Sequence, residues 1–282
     1  MASPELTANL PEDHILVHFT NLENLEHTAE RVHDSLNEKG DGNQFILVLG
    51  LTKEAIIKLD SEERALNGIP YRFMWDNTAG IIKVLTYGHD MVTLNMTRQL
   101  DRLCVAMGVD DPVLEFVSGG TTTRILCAGS KGKQPDGCVF PKSRLRRDRE
   151  SWPTLVIEAG LPASLPRLRE EARWWLCNSE GEVRIALALA THRQSRKLIT
   201  EKWEQQKRAP IQQLSRQPQA SLQAHATQTI EISPESESAS GAALVLPFEE
   251  LFDRPRQGKE TDIVLTEERL LDSMRLVWEL FT

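Results

Sequence analysis

The sequence predicts a mixed α/β fold, and three observations carry that expectation. Apolar runs of strand length recur along the chain: "FILVLG" at 45–50, "TLVIEA" at 154–159 and "EVRIALALA" at 182–190. Between them lie stretches with helical spacing, such as Met91, Leu94, Leu100, Leu103 and Met107 ahead of Gly108. A hydrophobic content of 40% beside 26% charged residues is enough for a packed core in 282 residues, as one large domain or two modest ones.

Residues 1–87 read as an N-terminal α/β extension. "LENLEHTAERVHDSLNEKG" is a helix stopped by Gly40, and "TKEAIIKLDSEERALNG" is a second closed by Asn67-Gly68. "FILVLG" between them is a buried strand, and "YRFMW" and "GIIKVLTY" flank the turn "DNTAG" as a hairpin. Residues 88–204 form the expected core, in the order α–β–β–β–α–β. Its helix from His89 to Gly108 leads to the strands "VLEFV", "QPDGCVF" and "TLVIEA". A helix from Ser164 to Cys177 and the strand "EVRIALALA" complete it, with an extra strand shared around the 120s. Residues 205–242, rich in glutamine and then in serine and glutamate, read as a polar linker or exposed loop, because they offer little apolar surface to offset ordering entropy. Residues 243–282 close the chain with the strands "GAALVLPFEELF" and "TDIVL" and a final helix. Thr266 caps that helix, Glu267 and Glu268 suit its positive end, and Leu270, Leu271, Met274, Val277 and Trp278 line one side.

Composition excludes several function classes. No apolar run reaches the roughly 18–20 residues that span a bilayer, so no membrane partner is expected. The N-terminus lacks a basic segment followed by an apolar one, and Cys104, Cys127, Cys138 and Cys177 are scattered with no CxxC pair. The expectation is therefore an intracellular protein, cytoplasmic or nuclear and not secreted, without a disulfide framework or zinc ribbon. The seven histidines form no HExxH or HxxxH pattern, and the formal net charge of −8 gives no global basic footprint for nucleic acid.

Two acids stand out. Asp136 sits between Pro135 and the apolar run from Gly137, and Glu158 lies near the C-terminal end of "PTLVIEAG". Strand alternation puts Thr154, Val156 and Glu158 on one face and Leu155, Ile157 and Ala159 on the other. A carboxylate on that apolar face needs a cation, donated hydrogen bonds or a metal, because an unpaired buried charge costs several kcal/mol. If the two strands pair, both acids project toward one pocket. Two neighbouring carboxylates repel unless they share a proton or a divalent ion, and Mg²⁺ prefers such oxygen ligands.

The ordered set of His89-Asp90, Lys133 to Asp136 ("KQPD"), Trp152 to Gly160 ("WPTLVIEAG") and Ala172 to Leu176 ("ARWWL") resembles the PD-(D/E)xK restriction-endonuclease-like superfamily, and in particular its uncharacterised, mainly fungal members. The resemblance covers somewhat under half the chain. It implies a nuclease in which Asp136 and Glu158 bind Mg²⁺ or Mn²⁺, which polarises a phosphate and activates water. Asp90 is a third candidate metal ligand by its match to the His-acid pair. The resemblance also implies a lysine two residues after the glutamate, and here that position is Gly160. Lys133 and Arg169 are the candidate replacements, Arg169 as a charge stabiliser only, since arginine stays protonated. The basic segment "KSRLRRDRE", with Lys142, Arg144, Arg146 and Arg147, is a candidate contact for a nucleic-acid backbone.

Plainer readings stand beside these. Asp136 suits a turn, Glu158 a structural pair with Lys133 or Arg169, Asp90 a helix N-cap, and Trp174, Trp175 and Trp203 core packing. A non-catalytic binding or regulatory scaffold of the same fold is the rival to a nuclease, and Gly160 favours it.

Overall fold

The structure, a computed structural model, describes residues 2–61, 65–109, 116–119, 123–126, 129–145, 151–192, 195–205, 223–233 and 243–279. It is a mixed α/β fold built on two six-stranded sheets and a short two-stranded one. The first sheet collects β1 (Ile15–His18), β2 (Phe45–Leu49), β3 (Tyr71–Asp76), β4 (Ala79–Val84), β6 (Arg124–Leu126) and β7 (Lys131–Lys133), in the order β1-β2-β4-β3-β7-β6. The second has the order β12-β11-β10-β9-β8-β5. Its strands are β5 (Phe116–Gly119), β8 (Gly137–Pro141), β9 (Leu155–Gly160), β10 (Ile185–His192), β11 (Lys197–Gln205) and β12 (Ala224–Ile232). Strands β13 (Leu244–Leu246) and β14 (Ile263–Leu265) pair separately. The helices are α1 (Pro4–Thr7), α2 (Leu22–Lys39), α3 (Lys53–Ser61), α4 (Tyr87–Ala106), α5 (Lys142–Leu145), α6 (Leu165–Asn178), α7 (Phe248–Phe252) and α8 (Glu267–Glu279). Among the described residues, no helix is long and apolar enough to cross a membrane.

Side-chain alternation stacks these elements into layers. On β4, Gly80, Ile82 and Val84 face outward. There Ile82 and Val84 join Leu25, Val32 and Leu36 of α2 and Leu59 of α3. Ala79 and Ile81 face inward, where with Phe45, Leu47 and Met74 they meet Leu168, Ala172 and Trp175 of α6 and Val156, Ala186 and Ala188 of the second sheet. The far face of the second sheet presents Leu155, Ile157, Leu187 and Leu189 to Val92, Met96 and Leu100 of α4 and to Leu270 and Met274 of α8. The second sheet is therefore apolar on both sides, which is why β9 and β10 read as continuous hydrophobic runs.

Several expectations need correcting. The boundary at 87/88 runs through a sheet, because β6 and β7, from inside 88–204, complete the sheet begun by β1 to β4. Within the stretch expected to be a linker, Ala224–Ile232 form β12, an edge strand hydrogen-bonded along β11. An edge strand needs apolar residues on only one face, and Ile230 and Ile232 supply them. "PFEELF" is a helix rather than a strand: Phe248, Leu251 and Phe252 recur at helical spacing and are buried together. Residues 113–115 of the expected strand "VLEFV" lie outside the described residues, as do 206–222 and 234–242.

Candidate functional site

Asp136 is the last residue of the crossing from the first sheet to the second. β7 ends at Lys133, Gln134 bonds back to Phe73 through both its backbone N–H (3.0 Å) and its side chain (3.0 Å), and β8 starts at Gly137. Gly137 is required by close approach, since a Cβ there would stand 2.6 Å from Thr93 Cγ2 of α4. β8 and β9 pair antiparallel with Gly137 opposite Ile157, and this register carries Asp136 to the end of β9. Its Oδ2 accepts the Ala159 N–H at 2.8 Å.

The two acids do turn toward a common centre, and Lys83 occupies it. In β4 the inward row Ala79, Ile81 continues to Lys83, whose Nζ lies 2.5 Å from Asp136 Oδ2 and 3.9 Å from both Glu158 Oε2 and Glu171 Oε2. Lys133 Nζ stands 3.1 Å from Glu158 Oε1 and 3.6 Å from Glu171 Oε1. Arg167 Nε donates to Glu171 Oε1 at 3.2 Å, one helical turn away on α6. Trp175 Nε1–H donates to Glu158 Oε1 at 2.5 Å. His89 Nε2 lies 2.9 Å from the Ala159 carbonyl oxygen and 3.2 Å from Asp136 Oδ2. Arg72 Nε stands 3.7 Å from Asp136 Oδ1. The side chains of Asp136, Glu158, Lys83, Lys133 and Glu171 are all at most 4% exposed.

Burial and charge divide the protons among these groups. Burial pushes the Asp136 carboxyl upward, yet Lys83, His89 and Arg72 together hold it well below the usual range. Glu171 behaves alike: against its burial, Lys133, Lys83 and Arg167 bring it down to about 2. Glu158 goes the other way. Burial raises it to about 8, with Glu171 and Asp136 adding to the rise and Lys133 opposing it. Three carboxylates buried together oppose one another's ionisation, and it is Glu158, which also accepts the Trp175 N–H, whose carboxyl is raised while the other two are lowered. Burial alone would lower Lys83 and His89, but the Asp136 charge lifts both above their ordinary values.

No protein-family model matches this chain, and no curated protein matches it. The site must therefore be read from its own chemistry.

A divalent ion does not fit this donor set as it stands. Asp136 Oδ2 is taken by Lys83, His89 and a backbone N–H, while Oδ1 makes no hydrogen bond but faces the Arg72 guanidinium at 3.7 Å. Glu158 is held by Lys133 and Trp175. An incoming Mg²⁺ would meet ammonium and guanidinium groups where it needs oxygen lone pairs. Among the described residues, no group of three or more His, Cys, Asp and Glu side chains forms a metal site.

The other candidates named from the sequence fall as follows. Lys133 joins the cluster. Arg169 does not: its side chain is 42% exposed and pairs with Glu201 at 2.6 Å, because the helix turns it toward β11. Asp90 sits at the rim, 49% exposed, 3.9 Å from Arg72 and 3.7 Å from His89 Nδ1, and Thr86 rather than Asp90 caps α4. Arg144 is buried against the carbonyls of Trp152, Pro153 and Glu182 and the carboxylate of Asp253, so it does not offer its guanidinium to a nucleic-acid backbone. Lys142 is half-buried at the start of α5. Arg146 and Arg147 lie outside the described residues. Gly160 shares the Glu158 face, and a Cβ there would meet Gln44 Oε1 at 3.3 Å and Leu168 at 3.4 Å, so packing fills the space of the missing lysine.

Sequence reasoning missed Lys83, Glu171, Arg167 and Arg72. Lys83 carried a legible signal, a lone lysine inside the apolar run "GIIKVL". Arg167 and Glu171 carried a weaker one, an i,i+4 ion pair next to the apolar stripe of α6.

Proposed function

We propose that this chain is a restriction-endonuclease-like protein whose charged centre serves as a structural joint between two sheets, and that it works as a binding or regulatory scaffold rather than as a nuclease. The observation that carries this reading is the engagement of Asp136. Its carboxylate is wholly buried and is held by Lys83, His89 and the Ala159 N–H. The run α4, β5, β8, β9, α6, β10 supports the fold resemblance, with β6 and β7 diverted to the first sheet.

A second reading, a Mg²⁺-dependent phosphodiesterase acting on nucleic acid, is favoured by one observation. Lys83 brings its ammonium within 3.9 Å of both acids, where Gly160 brings none. In that reading Asp136 and Glu158 are the metal ligands, Lys83 and Lys133 the supporting cations, and Lys83 withdraws before metal enters.

Calorimetric titration with Mg²⁺ and Mn²⁺, paired with a cleavage assay on plasmid DNA and on single-stranded RNA, separates the two. The scaffold reading expects neither heat of binding nor cleavage. Metal binding and strand cleavage that both vanish in Asp136→Asn would establish the second reading instead.

A further inference from the structure

Residues 2–10 lie against α6 and the first sheet as a strap that is a strand of neither sheet. Only Leu6 among them is buried, and it is wholly so, in the apolar layer that also holds Met74, Leu168 and Trp174. Ser3 caps the single turn α1 by accepting the Leu6 N–H at 3.2 Å, and Pro4 opens the turn. The other backbone hydrogen bonds of the strap are internal too, from Thr7 N–H to Ser3 O and from Leu10 N–H to Thr7 O. Among the described residues, none of them reaches the backbone of another element.

Side chains hold the strap from outside. Arg167 Nη1 donates to the carbonyl oxygens of Leu6 and Ala8, each at 2.9 Å. Lys131 Nζ lies 2.8 Å from Glu5 Oε2, and Asn9 Nδ2 donates to Glu170 Oε1 at 2.8 Å. The seat therefore reads a short sequence. It takes an acid at Lys131, a leucine in the apolar layer, two main-chain carbonyls on one guanidinium and an amide donor at Glu170. A single anchor side chain with polar contacts around it is how a folded domain receives a peptide.

The strap does not fill its seat. A cavity of about 160 Å³ stays open between strap and helix, lined by Glu5 and Ala8 on one side and by Met74, Arg167, Trp174 and Cys177 on the other. The hold is also slight for its length. One buried leucine and an ion pair between groups 45% and 27% exposed have to offset the ordering of nine residues. A segment held this way opens locally while the rest of the fold stays closed.

We propose that the seat under residues 2–10 is a peptide-docking site, covered at rest by the chain's own strap and open to a partner segment of the same chemistry, a helical turn with an acidic residue directly before a leucine. Such docking gives the scaffold reading its kind of partner and rests on that reading. Peptide binding and metal binding are measured separately, so either can fail alone.

Amide hydrogen exchange in the full parent chain is the first test. Thr7 and Leu10 are expected to show protection at least about a hundredfold lower than Ile81 and Ile82 of β4. Equal protection would mean that the strap leaves only on global unfolding, and the docking site falls. Binding in trans is the second test. Leu6→Asp in the full chain expels the strap, and a synthetic peptide of residues 2–12 with blocked ends is titrated into it up to about 2 mM, read by the NMR shift of the Trp174 indole N–H. The peptide is expected to bind. Leu6→Ala in the peptide should weaken it at least about thirtyfold and Glu5→Lys about fivefold. Leu6→Ala in the chain supplies the same test should Leu6→Asp fold poorly. Absence of binding over that range, or equal binding of either altered peptide, overturns the docking site. Failure of both chain variants to fold overturns it as well, because the strap would then be part of the core rather than an occupant of a seat.

Discussion

Lys83 is the residue on which the buried centre turns. It is the only described group within 4 Å of all three carboxylates, and Asp136 is its closest partner. Removing one member of a buried pair leaves the other desolvated without compensation, which costs about 3–5 kcal/mol. Lys83→Met is therefore expected to lower the unfolding free energy from urea titration by that much, and Asp136→Asn by a similar amount. The double variant should lose clearly less than the sum, because it removes both charges together. Strict additivity would show that the two side chains do not interact. Glu158 gives a different signature. Its folded carboxyl titrates at about 8 against an ordinary 4.5, so between those values the folded protein holds a proton the unfolded chain has released. Stability from this group accordingly falls as pH rises through that window. His89, also raised, acts in the same direction, whereas Asp136, lowered, loses its contribution only as pH falls through its folded value. Glu158→Gln fixes the neutral form and leaves the other two in place. Compared by urea unfolding at pH 5.5 and pH 8.5, the variant should gain on the parent at the higher pH. Equal differences at both pH values would show that Glu158 is ionised throughout.

At the scale of elements, legibility followed periodicity. The helix α2 ended at Gly40 in the left-handed conformation, as the glycine announced, and α8 carried its stripe of Leu270, Met274, Val277 and Trp278 into the core. The β3–β4 hairpin and the facing of Glu158 followed from alternation alone. The convergence of Asp136 and Glu158 needed one further premise, that their strands pair, and the register of β8 on β9 supplies it. The place of Lys83 was not legible, because which inward-facing residue of one sheet meets which of another depends on how the sheets stack, and local periodicity carries no such information. β12 escaped for another reason: its partner supplies backbone hydrogen bonds that composition does not record, and only Ile230 and Ile232 of its nine residues are buried. A paired substitution tests that strand. Ile232→Ala removes a fully buried side chain and is expected to cost about 2–4 kcal/mol. Thr229→Ala, at an exposed position of the same strand, should stay within about 0.5 kcal/mol. A linker would leave both variants at the parent's melting temperature.

For the molecule as a whole, the charged centre joins two sheets that share a chain crossing. Lys83, Lys133 and Arg72 come from the first sheet, Glu158 from the second, Glu171 and Arg167 from the helix between them, and Asp136 from the crossing itself. Residues 1–87 consequently do not amount to an independent unit. Cut there, the first sheet loses β7, which pairs along β3, and β6 beyond it. Its inner face would expose Phe45, Leu47, Met74 and Ile81, all buried in the whole protein, around a lysine stripped of its three carboxylates. Freshly exposed sheet edges and apolar faces of this kind favour self-association. A fragment of residues 1–87 is thus expected to lack dispersed amide resonances and to aggregate, whereas the full chain unfolds in one transition that far-UV circular dichroism and tryptophan fluorescence report at the same midpoint. Fluorescence samples both sheets, since Trp75 lies in the first and Trp203 in the second, while far-UV circular dichroism reports the backbone throughout. A well-dispersed, monomeric fragment would show that the first sheet closes its core without β6 and β7, and that the buried ion cluster ties together two domains rather than completing one.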